Sequence, residues 1–215
     1  MKRLPTDFTF ILFSLLFFLT VRASGQDSPQ SHYRALSCPE KWWVIFHPFI
    51  AKKTYRLSIQ AREVSKELLK DSFFDGDENG GQIDAFRHSY WMALLSQNIC
   101  WRKARSLGKA HEKGNYLAFK KGQKEEDLLP DSLSSVMDLY NNGVGLEIGK
   151  STKKISDEEL RRVVRDSVLA GKMKVIRKNA AGITLDCDGN AMDSVRYKGK
   201  WNIPKCLVTS DTKRK

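Results

Sequence analysis

The fold is decided by residues 82–97, which read QIDAFRHSYWMALLSQ. On a helical wheel of about 100° per residue, the large apolar side chains fall on two sides and leave only a narrow sector for solvent. One side carries Ile83, Phe86, Tyr90, Ala93 and Leu94. The other side carries Asp84, Arg87, His88, Trp91 and Leu95. The spacing therefore predicts a helix that is buried almost all round and whose charged groups point toward neighbouring helices.

The segments around this stretch favour further helices. Apolar residues recur at helical spacing from about Lys52 to Lys70, and Ser156 with Glu159 forms a capping box. Helices are also predicted over about 100–113, 133–148 and 156–170. Beyond Gly171, short β-prone pieces alternate with turn residues. The expected fold is mainly α, with a compact multi-helix core domain and a small, partly β C-terminal appendage.

Composition narrows the class of protein. The chain has 215 residues, 37 Lys+Arg, 25 Asp+Glu and 41% hydrophobic residues. These values exclude a disordered, collagenous or multi-span membrane protein. One principal domain of this length buries a core without needing metal or disulfide cross-links.

The N-terminus has the pattern of a signal peptide. Lys2 and Arg3 precede an uncharged run from Phe8 to Val21, and small residues follow it. The run is shorter than the roughly 20 residues of a spanning helix, so no transmembrane anchor is expected. The protein is therefore predicted to be secreted or periplasmic. The predicted divisions are a signal peptide (1–25), a flexible linker (26–36), a helical core domain (37–150) and a C-terminal helix with the appendage (151–215).

Charge and cysteines indicate partners and redox state. The formal net charge of +12 predicts attraction to anionic lipid or envelope polymers, and peripheral contact with a membrane is compatible with it. The alternative is that the lysines are spread evenly over a solvated surface, which would give the same net charge. The basic residues form no aromatic-lined groove, so no nucleic-acid partner is expected.

Four cysteines permit disulfides, and Cys187 with Cys206 is the favoured pair because both lie in one segment. The cysteines show no C-x-x-C spacing, so a structural zinc site is not expected.

Three predicted helices carry polar stripes flanked by apolar residues, which indicates that the stripes face inward. Buried polar groups must bond to one another or to a ligand, because burying an unpaired charge costs several kcal/mol. The predicted members of this set are Asp84, Arg87, His88, His111, Glu112, Asp138, Asn141 and Asn142. The alternative is a closed polar network that only fixes helix register.

The residue types in these stripes suit chemistry on a phosphate. His88 and His111 are candidate nucleophiles or proton-transfer groups. Asp84, Glu112 and Asp138 are the carboxylates that would orient them. Arg87 is shaped for a two-pronged phosphate contact. Beside it, Asn141 and Asn142 would donate hydrogen bonds and Trp91 would form a pocket wall.

A loop before the central helix has the pattern of a calcium loop. Asp75, Asp77 and Asn79 place oxygen ligands at alternate positions, and Gly80 stands at the sharp turn. Phe86 occupies the twelfth position, where such loops carry Glu. Calcium is therefore a candidate cofactor, and a plain turn that caps the next helix is the alternative.

Four motifs in order carry a resemblance to a known family. They are Cys38-Pro39-Glu40-Lys41-Trp42-Trp43, Asp84-Ala85-Phe86-Arg87-His88-x-Tyr90-Trp91, Ala110-His111-Glu112 and Met137-Asp138-Leu139-Tyr140-Asn141-Asn142-x-x-Gly145. Over about residues 37–149 the chain resembles an uncharacterised family of secreted bacterial helical domains, a domain of unknown function. This resemblance transfers no established activity.

The last motif is also distantly similar to the Met-x-Leu-x-Asn-Asn-x-x-Gly stretch of Wnt ligands, whose helical domain is similar to enzymes that cleave or exchange phosphate-linked lipid headgroups. The similarity implies a secreted hydrolase or transesterase acting on a phosphate-containing lipid headgroup. The alternatives are a non-enzymatic module that binds lipid or envelope polymer, and a structural envelope protein with a buried polar network.

Overall fold

The structure is a computed structural model that describes residues 33–122, 130–152, 155–193 and 195–214. The chain divides after Leu36 into two units, and the helices and strands named below all belong to the second unit, Ser37–Lys215. The predicted signal peptide lies outside the described residues, as does the predicted linker up to residue 32.

Helices dominate the second unit. They are α1 (Cys38–Phe46), α2 (Pro48–Glu67), α3 (Gln82–Asn98), α4 (Trp101–Lys120), α5 (Ser132–Ser151) and α6 (Asp157–Leu169), with a 3₁₀ turn (Leu68–Lys70) after α2. Strands β1 (Lys174–Ile176) and β2 (Leu207–Thr209) pair antiparallel, with Val175 opposite Val208. The predicted mainly α fold with a small, partly β appendage is confirmed. Among the residues described, none of the helices is both long and apolar enough to cross a bilayer.

Local sequence signals set the helix ends. Ser37 and Glu40 form a reciprocal capping box at the start of α1. At the start of α6, the Ser156 side chain accepts the Glu159 N–H, which is one of the two hydrogen bonds of the predicted capping box. Pro48 opens α2, because proline fits a first helical turn but not a helix interior. Helix α4 runs to Lys120, beyond the predicted end near residue 113.

Helix α3 lies at the centre and packs against α2, α4, α5 and α6. Its predicted burial on nearly all sides is confirmed. On one side an apolar cluster includes Phe86 and Tyr90, and on another a second cluster includes Met92 and Leu95. Each large apolar side chain buried in this way contributes about 1.5–3 kcal/mol to the free energy of folding.

Helix α5 approaches α3 more closely than ordinary side chains allow. A Cβ atom at Gly145 would lie 2.1 Å from the carbonyl oxygen of Ser89, and one at Gly149 would lie 2.0 Å from Ser96 Oγ. Ser89 Oγ donates to the carbonyl oxygen of Asn141 at 3.1 Å across the same interface. The two glycines therefore bring the polar face of α5 directly onto α3.

The appendage is attached to this interface. Asn141 holds the backbone of Lys174 in β1 through two hydrogen bonds of 2.9 Å, one donated by Nδ2 and one accepted by Oδ1. The predicted disulfide between Cys187 and Cys206 is confirmed. The remaining cysteines, Cys38 and Cys100, are free and exposed.

Candidate functional site

The structure brings three of the predicted polar residues together in the core. Asp84 and His88 lie one turn apart on α3, and Asp138 reaches them from α5. Each of the three residues is at least nine-tenths buried. One ligand atom from each side chain lies within 4.8 Å of the others. His88 Nε2 is 3.4 Å from Asp84 Oδ1 and 3.5 Å from Asp138 Oδ1. We call these three residues the central cluster.

Neighbouring groups fix the carboxylate of Asp84. Its Oδ2 accepts the backbone N–H of Gly80 at 2.7 Å, and its Oδ1 accepts a hydrogen bond from Arg87 Nη2 at 2.8 Å. The side chain of Arg87 is 22% exposed, so its guanidinium lies between the buried cluster and solvent. It is therefore placed to contact an anionic ligand at the edge of the cluster.

His88 is uncharged at neutral pH. Burial lowers the pKa of His88 well below its ordinary value of 6.5, and the positive charges of Arg87 and His111 lower it further. A hydrogen bond from Nδ1 to Asn142 Oδ1 at 3.4 Å acts in the opposite direction. A neutral imidazole of this kind serves either as a base or as a metal ligand.

Asn142 contacts this cluster and also lines a surface groove of about 750 Å³. Its Oδ1 faces His88, whereas its buried Nδ2 has no hydrogen-bond partner among the described residues. A Cβ atom at Gly108 would lie 3.2 Å from that nitrogen, so glycine keeps the space beside it open. Apolar side chains form the walls of the groove, among them Met92, Leu139 and Val144, and two cations and one carboxylate line it, Arg105, Lys109 and Glu147. A smaller groove of about 450 Å³ between α2 and α6 is lined by none of the cluster residues.

A second histidine lies beside the cluster and is oriented by a carboxylate. His111 Nδ1 is 3.0 Å from Glu40 Oε1, and the ring centres of His88 and His111 are 6.4 Å apart. Burial by itself would raise the pKa of Glu40, but the hydrogen bond and charge of His111, with hydrogen bonds from Ser37, outweigh it and lower the pKa to about 2. Glu40 is therefore ionised at neutral pH and holds the His111 ring in place.

Glu40 is the site residue that sequence reasoning missed. The prediction gave Glu112 as a carboxylate for orienting a histidine, but Glu112 is buried and accepts a hydrogen bond from Asn115 Nδ2 at 3.4 Å. The spacing of Ser37 and Glu40 could have identified a capping box. It could not show that the same carboxylate also reaches His111, which lies 71 residues away.

Two other predicted residues have structural contacts. Asn141 is fully buried, and both polar atoms of its amide bond to the backbone of Lys174. The structure therefore does not bring its amide into the groove beside Asn142. Trp91 donates from Nε1 to Ser58 Oγ at 2.8 Å, and its ring meets His111 edge-on at 5.6 Å. Trp91 thus forms part of the wall beside His111.

The predicted calcium loop is occupied by ion pairs. Asp75 Oδ1 accepts the backbone N–H groups of Asp77 and Gln82, each at 3.0 Å. Arg214 bonds to the other oxygens of Asp75 and Asp77 at 2.8 and 2.6 Å, and Lys178 also bonds to Asp77 and to the Asn79 carbonyl oxygen. These two cations lie where the predicted calcium ion would bind. Within the described ranges, the side chains with metal-ligand spacing are those of the central cluster.

Residues 41–172 match a family described as a domain of unknown function (DUF6973). The chain belongs to this family. The matched range extends from within α1 to just beyond α6 and contains the central cluster, Arg87, His111 and Asn142. It excludes Glu40 and both strands. Comparison with curated proteins and with solved structures finds no match. The expected membership of an uncharacterised family is confirmed, and the similarity to Wnt and lipid-headgroup enzymes stays a prediction.

Proposed function

We propose that this protein is an exported hydrolase or transesterase that acts on a phosphate-containing lipid headgroup. The proposal rests on Asn142, which connects the buried cluster to the groove. Because its carbonyl oxygen bonds His88 and its amide nitrogen lies beside the groove, a ligand there would come close to His88. The predicted signal peptide supports a secreted or periplasmic location.

The chemistry of the groove favours an amphipathic anion. Apolar walls suit the hydrocarbon part of a lipid, while Arg105 and Lys109 suit its phosphate. Arg87 provides a further guanidinium at the edge of the cluster. A phosphate linked to a lipid chain satisfies all three features, whereas an uncharged or purely polar ligand satisfies fewer.

An exposed aromatic patch supports contact with a membrane. Trp42, Ile45, Phe46 and Phe49 lie around the corner between α1 and α2 with exposed fractions of 55%, 51%, 73% and 100%. The rings of Trp42 and Phe46 stack with centroids 5.9 Å apart. Exposed lysines, among them Lys52 and Lys53, follow the patch. Aromatic side chains next to cations are typical of surfaces that bind anionic bilayers.

The proposed reaction uses His111 as the proton-transfer group. In hydrolysis, a water oxygen attacks phosphorus and the P–O bond to the leaving alcohol breaks. The neutral form of His111 takes the proton from the water at Nε2 and returns it to the leaving oxygen, while Glu40 holds the opposite ring nitrogen. Arg87 offsets the charge that develops on the phosphate. In transesterification, a lipid hydroxyl replaces the water.

The test uses purified protein and vesicles of phosphatidylglycerol and phosphatidylethanolamine, with released headgroup phosphate measured by mass spectrometry. We expect turnover by the wild type and a loss of about 100-fold or more in His111→Ala, His88→Ala and Arg87→Met. Arg165→Met, which changes an arginine on α6, is the matched control and should keep full activity. No headgroup release by folded wild-type protein would refute the proposal.

A non-enzymatic lipid-binding module is the second candidate, and the aromatic patch favours it independently of catalysis. Phe49→Ser should weaken vesicle binding whether the protein is an enzyme or a binding module. Val195→Ser, which changes an apolar residue that lies outside the patch and is 81% exposed, should not weaken it. Wild-type protein that binds vesicles through Phe49 without releasing headgroups would establish this second candidate.

A further inference from the structure

We propose that Asp84, His88 and Asp138 bind one divalent metal ion of the Zn²⁺ or Mn²⁺ class. The site differs from the predicted calcium loop in its place in the fold and in its ligands. Its three donors come from two packed helices and are buried, so they are held at fixed positions.

Two separations within the cluster fit a shared ion. His88 Nε2 lies 3.4 Å from Asp84 Oδ1 and 3.5 Å from Asp138 Oδ1. Two ligands of a tetrahedral ion with bonds of about 2.1 Å lie about 3.4 Å apart. Both separations therefore match the edge of a coordination polyhedron.

The opposite side of the imidazole supports this assignment. His88 Nδ1 faces Asn142 Oδ1, which as a carbonyl oxygen only accepts hydrogen bonds. With the ring proton on Nδ1, His88 donates to this oxygen and the lone pair on Nε2 faces the two carboxylate oxygens. Arg87 already bonds to Asp84 Oδ1 on the solvent side, and a metal ion between the three donor atoms would attract all of them. Histidine ligands of metal ions typically donate their second N–H to an oxygen in this way.

The surrounding groups complete the pattern of a metal site. The hydrogen bond from Gly80 N–H to Asp84 Oδ2 leaves Oδ1 as the oxygen that faces His88. The buried Nδ2 of Asn142, which has no partner among the described residues, lies on the groove side, where an additional ligand would enter. Three protein ligands with room for a further ligand are typical of catalytic sites.

The ligand types define the class of ion. One imidazole nitrogen and two carboxylate oxygens suit Zn²⁺ or Mn²⁺. Ca²⁺ takes six to eight oxygen ligands, more than this cluster supplies. A bound ion would polarise a phosphoryl oxygen or lower the pKa of a bound water. This catalytic meaning rests on the proposed function, whereas binding of the ion does not.

The experiment is calorimetric titration of the metal-stripped full chain with Zn²⁺ and with Mn²⁺. We expect one ion per chain and a rise in melting temperature on binding. His88→Ala and Asp138→Asn should weaken binding by about 100-fold or more, and the near-isosteric Asp138→Asn guards against loss of fold. His47→Ala, which changes a histidine between α1 and α2 outside the cluster, should leave the dissociation constant within about threefold.

Each contrary result is distinguishable from failure of the proposed function. No ion bound by the folded wild type, or equal binding by His88→Ala, would overturn the metal site. If Asp77→Asn loses metal binding and His88→Ala keeps it, the ion binds in the Asp75 loop, and the proposed site at the central cluster is wrong. Metal binding without headgroup release would retain the site and reject the lipid reaction. Undiminished release by metal-stripped protein would retain the lipid reaction and reject the catalytic role of the ion.

Discussion

Replacing Gly145 with alanine tests whether the close approach of α5 to α3 builds the site. The added Cβ would lie 2.1 Å from the Ser89 carbonyl oxygen and 2.7 Å from the Ser89 Cα and carbonyl carbon. Normal contact between these atoms requires more than 3 Å, so the two helices must separate by about 1 Å. Because the obstacle is backbone and not a flexible side chain, no rotamer change relieves the overlap.

Two opposing effects determine the magnitude. Alanine gains up to about 1 kcal/mol over glycine in helix propensity. Overpacking of this kind costs about 1–3 kcal/mol, and rigid backbone places Gly145→Ala at the top of that range or above it. We expect a net loss of about 2–3 kcal/mol in the free energy of unfolding, which lowers the melting temperature by roughly 4–12 °C for a domain of this size.

Gly143→Ala is the matched control on the same helix. A Cβ at Gly143 meets no atom within 4 Å, so this variant should gain about 0.4–1 kcal/mol through helix propensity alone. The measurement is urea unfolding followed by circular dichroism. Equal stability of the two variants would refute the proposed close approach. A shift of α5 by 1 Å must also displace Asp138 from His88, so unchanged metal affinity in Gly145→Ala would refute it as well.

Three further predictions concern the contacts around the site. Glu40→Gln should cost about 3 kcal/mol of stability at pH 7, because the fall in the pKa of Glu40 from 4.5 to about 2 stabilises the folded protein above pH 4.5. That stabilisation is lost as the pH falls through the lowered pKa, so urea unfolding should show the difference between variant and wild type more than halved by about pH 3. Asn141→Ala should cost about 1–3 kcal/mol, because it leaves the part-buried N–H and C=O of Lys174 without these hydrogen bonds. Faster hydrogen exchange at Lys174 would support this role. Unchanged stability with weaker substrate binding would instead support the predicted phosphate contact. The Cys187–Cys206 disulfide joins residues that are 19 apart in sequence, so its reduction should lower the local stability of the appendage by about 3 kcal/mol. Unchanged hydrogen exchange of the appendage amides after reduction would contradict this.

The residues that sequence reasoning placed correctly are those fixed by a single helix. Asp84 and His88 share a face because they are one turn apart, and the apolar residues around them required that face to be buried. Asp138 and Asn142 follow the same rule on α5. A period of 3.6 residues per turn makes these relations local, so they were readable without coordinates.

Some contacts of the predicted residues depend on segments that are far apart in the chain. Asn141 is adjacent to Asn142 in sequence, yet its amide bonds to β1 while that of Asn142 bonds to His88. The calcium pattern of the Asp75 loop was also local, but Lys178 and Arg214 reach its carboxylates from more than 90 residues away. No spacing rule predicts contacts at such separations.

The sequence by itself determined the helices, their caps and the inward direction of the polar stripes, because backbone periodicity and local hydrogen bonds act over a few residues. Only the tertiary structure decided which stripes meet. The approach of α5 at Gly145 and Gly149 placed Asp138 against His88, and the packing of α1 on α4 placed Glu40 against His111. The rotation and separation of two packed helices depend on the fit of their whole surfaces, which is a property of the folded chain and not of any one segment.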